Sequence, residues 1–108
     1  MPRTHLAVEQ DRLEELRDLL AAGADIHEES NGFTLLHRAV DGEIGGHVQT
    51  GEPLHVDATC FLLSQGADPT RRSHGGTGVS AHHPAFVNRH RLADALFGAW
   101  RRDTRSGL

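Results

Sequence analysis

The chain has 108 residues, of which 37% are apolar and 24% charged, with a formal net charge of −4. That composition suits one domain around one modest core, and it is too polar for a membrane protein and too apolar for a disordered one. No run nears the roughly 18 apolar residues of a membrane span, Met1-Pro2-Arg3-Thr4-His5 leads into acidic amphipathic sequence and not into a secretory signal, and Cys60 has no second thiol to pair with.

A cytoplasmic chain is therefore expected. All eleven basic residues are arginine, as in GC-rich coding, which excludes a phosphate-loop lysine, a Schiff-base lysine and a Ser-Lys dyad.

Taken in chain order, the first segment carries His5, Ala7 and Val8. It is followed by Leu13, Leu16, Leu19 and Leu20, whose 3, 3, 1 spacing puts one apolar stripe along a helix. Gly23, in Gly23-Ala24-Asp25-Ile26, supplies the left-handed stop. An acidic turn follows, Ile26-His27-Glu28-Glu29-Ser30-Asn31-Gly32. Next comes Gly32-Phe33-Thr34-Leu35-Leu36-His37-Arg38-Ala39, in which Thr34 stands where a helix N-cap belongs. Residues 42–53 hold four glycines and a proline and read as a loop. Ile44, Val48 and Leu54 are expected to pin that loop against Phe61. A second stripe, Val56, Thr59, Leu62 and Leu63, ends at Gly66-Ala67-Asp68-Pro69, and a basic turn, Pro69-Thr70-Arg71-Arg72-Ser73-His74-Gly75-Gly76, follows. Ser80 to Val87 and Arg91 to Trp100 make a weaker third pair, with Pro84 acceptable only in a first helical turn. Residues 101–108 are expected to form a polar tail.

The stripes and their Gly-Ala-Asp endings repeat 43 residues apart, whereas His5, Ala7 and Val8 repeat as His37, Ala39 and Val40 at 32. A repeat of about 33 residues, carrying an 11-residue insertion in its second copy, accounts for both offsets. The domain then spans 1–100, with one unit over about 2–30, a second over about 31–73 with its insertion at 42–53, and a degenerate C-terminal cap over 74–100.

Here the chain resembles the ankyrin repeat family. The stretch Gly32 to Ala39 resembles the signature G-x-T-P-L-H-x-A, with Leu35 where proline is usual. The endings at Gly23 and Gly66 resemble L-L-L-x-x-G-A-D. The resemblance implies an all-α stack of helix-turn-helix units joined by β-turns, with first helices and turn tips lining a concave side. It also implies structural roles for Thr34 and His37, the latter bonding within its unit and to the next turn.

Function is expected to be protein binding, with no catalysis and no cofactor. The partner-facing candidates are Glu28, Glu29, Asn31 and Phe33 with Arg38 on one side, and Arg71, Arg72 and His74 at the next tip. Residues 1–68 hold thirteen acids and four arginines, a balance of −9, while residues 69–108 hold seven arginines and two acids, +5. That division suggests salt-dependent self-association. Nucleic-acid binding through the arginine-rich C-terminal third is the alternative, disfavoured by the acidic segment beside it. A metal site among His47, His55, His82, His83 and His90 is a further alternative, but their spacing matches no ligand motif. Cys60 lies at the stripe's margin, with His55 on another side of the helix, and carries no catalytic expectation.

Overall fold

The computed structural model describes residues 2–51, 55–87 and 90–106. They form six α-helices, α1 (Arg3–Glu9), α2 (Leu13–Ala21), α3 (Leu35–Thr50), α4 (Asp57–Ser64), α5 (His82–Val87) and α6 (Arg91–Ser106), with a 3-10 turn at His74–Gly76. Among the described residues, β-structure is confined to two isolated antiparallel bridges, Ser30 to Phe33 and Arg72 to Ser80, which close the two turns between units.

The copied unit is visible atom by atom. Gly23 (φ 107°) and Gly66 (φ 97°) both take the left-handed conformation after the second helix of their units. Gly23 N–H donates to the Leu20 carbonyl and Ala24 N–H to that of Leu19; Gly66 and Ala67 repeat this on Leu63 and Leu62. Asp25 then accepts from His27 N–H and Asp68 from Thr70 N–H, the same side chain turning the chain in both copies. Leu16 and Thr59, at matching places in the two stripes, are both fully buried.

α1 packs on α2 and α3, α3 also packs on α4 and α5, and α6 covers α4 and α5. The core therefore runs through the stack, from Ala7, Val8 and Leu16 through Leu35, Val40 and Leu62 to Ala85, Ala93 and Phe97. Where Phe61 joins this core in the second unit, the first unit carries Asp18, 74% exposed. Pro84 is the third residue of α5, inside its first turn, where no intrahelical N–H is required.

The inserted segment departs from expectation. Its residues 42–50 are not a loop but the continuation of α3, which is 16 residues long against 7 for α1. The helix thereby gains nine residues over α1, about two and a half turns at roughly 3.6 per turn. Glu43 is buried and Ile44 packs on the core, contacts that outweigh the poor helix propensity of Gly42, Gly45 and Gly46. Gly51 (φ 72°) ends the helix, its N–H donating to the His47 carbonyl. Val48 does not pin the segment, being 74% exposed, and Leu54 lies outside the described residues. The last helix also runs past Trp100, to Ser106.

A Cβ added at Gly45 or Gly46 meets nothing within 4 Å. Gly45→Ala and Gly46→Ala are therefore each expected to raise the unfolding free energy by up to about 1 kcal/mol, read by urea denaturation. An unchanged or lower midpoint would show that residues 42–50 are not helical.

Candidate functional site

The turn between the first two units is built on Asn31 (φ 55°) and Gly32 (φ 86°), two left-handed residues inside the Ser30–Phe33 bridge. Gly32 is also required by close approach, because a Cβ there would lie 2.2 Å from Cδ2 of His74. The second turn is longer and holds the 3-10 turn, with His74 (φ 53°), Gly75 and Gly76 all left-handed.

The two tips are joined. His74 N–H donates to the Gly32 carbonyl at 2.7 Å, and Asp68 N–H donates to Nε2 of His27 at 3.1 Å. Glu29 accepts from Gly75 N–H with both carboxylate oxygens, at 3.0 and 3.1 Å. Its neighbour Glu28 is engaged as well: the Thr4 hydroxyl donates to its carboxylate. Of the eight partner-facing candidates, the two acids thus have their carboxylates in internal hydrogen bonds. Asn31 stands exposed at the turn corner, and Arg71, Arg72 and His74 are exposed on the second tip.

Phe33, Arg38 and His74 come together. The guanidinium of Arg38 lies 5.7 Å from the Phe33 ring centre, and the His74 ring meets Phe33 edge-on at 5.7 Å. Phe33 remains 39% exposed between them. Arg38 is itself tethered, Nε donating to Nδ1 of His5 at 2.8 Å and Nη2 to the Ser30 carbonyl.

Two buried histidines position these turns. Because Nδ1 of His5 accepts from Arg38, its proton is on Nε2, which donates to the Glu28 carbonyl at 3.0 Å. His37 does the same one unit on, with Nε2 donating to the Val79 carbonyl at 2.6 Å and Nδ1 accepting from the Thr34 hydroxyl at 2.6 Å. Thr34 in turn caps α3 by accepting His37 N–H. Burial, the leading cause, lowers both imidazoles below the ordinary 6.5, against the raising effect of the carbonyls they bond.

Residues 31–74 match the family model for the ankyrin repeat. This stretch is an ankyrin repeat. No curated protein matches the chain. The matched stretch runs from the corner of the first tip to the second tip, so it takes in the lengthened α3. Ankyrin repeats are in general protein-interaction modules and typically non-enzymatic.

One buried cluster in this stack is not legible in the sequence. Glu43, from the inserted turns, accepts from the Thr59 hydroxyl at 2.6 Å, from Thr59 N–H at 3.2 Å and from Nε2–H of His90 at 2.8 Å. Nδ1 of His90 accepts from Ala93 N–H, so this histidine also caps α6. Thr59 and His90 both donate to the Glu43 carboxylate, so the imidazole turns no lone pair toward the hydroxyl and the cluster lacks the order of a hydroxyl–imidazole–carboxylate triad. Only one signal was available, a threonine where the first unit has Leu16. In the sequence His90 is a candidate only as a metal ligand. Among the described residues no group of three or more His, Cys, Asp or Glu is placed to hold a metal, and the side chain of His82 lies outside them.

Glu43→Ala leaves three buried donors unpaired and is expected to cost about 3–5 kcal/mol in urea denaturation; a loss under about 1 kcal/mol would show the cluster to be solvated. Lowered native values for His5 and His37 mean that the unfolded chain takes up protons first as pH falls. Their contribution to stability is whole above about pH 6.5 and is lost below it, through the lowered native values. The denaturation midpoint is therefore expected to drop from about pH 7.5 to about pH 5.5. A His5→Gln, His37→Gln variant, less stable at the upper pH, should drop less over the same interval. An equal drop would contradict the assignment.

Proposed function

We propose that this protein docks a partner protein through its turn tips and the face formed by its first helices, and that it catalyses nothing. The observation that carries this reading is Phe33, an aromatic ring left 39% exposed yet held by Arg38 over the ring and by His74 edge-on. A ring ordered before docking loses little entropy on binding, which is what an interface anchor requires. Leu6, 40% exposed, occupies in α1 the place that Arg38 holds in α3, and Val79, 42% exposed, lies beyond the second tip, so apolar surface continues on either side. The joined tips support the reading too, because two fastened turns present one surface and not two independent loops.

Among the described residues no helix is long and apolar enough to cross a membrane. Exposed acids on the first unit, including Glu9, Asp11 and Glu14, weigh against a polyphosphate ligand.

Co-purification from the native cell, with the wild type and Phe33→Ala compared side by side, tests the proposal. The variant should keep its denaturation midpoint and bind its protein partner roughly thirtyfold more weakly, a loss of about 2 kcal/mol. Equal recovery of the same proteins would reject the tip as the docking surface, and recovery of nucleic acid alone would replace the reading.

A further inference from the structure

Opposite charges at neighbouring tips do not cancel symmetrically in the folded chain. The carboxylate of Glu28 takes the Thr4 hydroxyl, and that of Glu29 reaches across to Gly75 N–H. Arg71 makes no side-chain hydrogen bond or ion pair among the described residues. Arg72 is held by Nε alone, donating to the Gly78 carbonyl at 2.7 Å. The acidic tip is thus turned inward while the guanidinium groups of the basic tip stay available.

Glu29, Arg71, Arg72, Gly75 and Gly76 line one open cleft of about 250 Å³. The cleft already contains a carboxylate, supplied by Glu29. Guanidinium groups pair with carboxylates through two parallel N–H···O bonds, a geometry an ammonium cannot offer, and this chain has only arginines.

We propose that the cleft between the two tips is a carboxylate-recognition site for an acidic segment of a partner protein, and that Glu29 occupies it until that segment displaces it. This rests on the protein-binding reading above. The exchange is chemically even: one carboxylate leaves Gly75 N–H and another takes its place. The incoming group also pairs with Arg71 and Arg72, while apolar residues of the same segment meet Phe33 and Val79 nearby. Glu29 is exposed, so its contact is weak enough to be displaced. Its presence still lowers affinity for every weaker acid, which makes it a filter as well as a plug.

Fluorescence anisotropy on the intact chain tests this, with a labelled decaglutamate as the probe and decalysine and a thymidine decanucleotide as comparators. Wild type should bind decaglutamate, less strongly as salt rises. Glu29→Gln should bind it about fivefold more tightly, the scale of one exposed charge contact. The same charge change in Glu14→Gln, on α2 and remote from the cleft, should alter binding by less than about twofold. Arg71→Ala with Arg72→Ala should weaken it by about tenfold or more. Equal gains from Glu29→Gln and Glu14→Gln would reduce the effect to net charge and overturn the proposal, as would tighter binding of the decanucleotide. Failure here with a Phe33-dependent partner still recovered from cells would remove the cleft and keep the module; loss of that dependence would remove the module itself.

Discussion

A helical pair in this chain cannot cover its own apolar stripe, so each is folded only by its neighbour, and α3 is the neighbour of both other pairs. It packs against α1 on one side and against α4 and α5 on the other. His5 and His37 then set the spacing between units, each donating from a buried ring to a carbonyl of the following turn. A neutral imidazole suits this place because it satisfies a carbonyl on one side and accepts a hydrogen bond on the other without placing a charge in the core. The arrangement also fastens the tips, so the docking surface proposed above inherits its rigidity from the interior.

Three departures from the repeat account for one another. Thr59 replaces the leucine of the first stripe, the insertion brings Glu43, and His90 opens α6. Any one alone would leave a buried polar group without a partner. Together they place a fully bonded carboxylate between the second unit and the last. Such a cluster adds less net stability than apolar packing would, but it accepts one arrangement of the three elements and penalises others. A short last unit with α5 of only six residues gains a defined seat from it.

The repeat was legible because its signals are local. The Gly23 and Gly66 stops, the Thr34 cap and the two leucine-rich stripes lie within a few residues of what they control. The inserted turns were not legible, since three glycines in nine residues read as loop chemistry, and only burial of Glu43 and Ile44 against distant partners makes helix the better choice. The same distance hid the roles of Glu29 and His90, whose partners lie 46 and 47 residues away. Opposite charge at the tips was visible, but not that the chain uses its own acids internally and leaves the arginines outward. Position in sequence says which groups exist, and folding decides which of them remain free.

Native-state hydrogen exchange along α3 tests the central claim most directly. With α3 as the shared wall, amides from the first turn after Thr34 through residue 50 should be protected together and open in the same cooperative event as those of α6. Protection that ends near residue 41, with 42–50 exchanging at the rate of free chain, would contradict it.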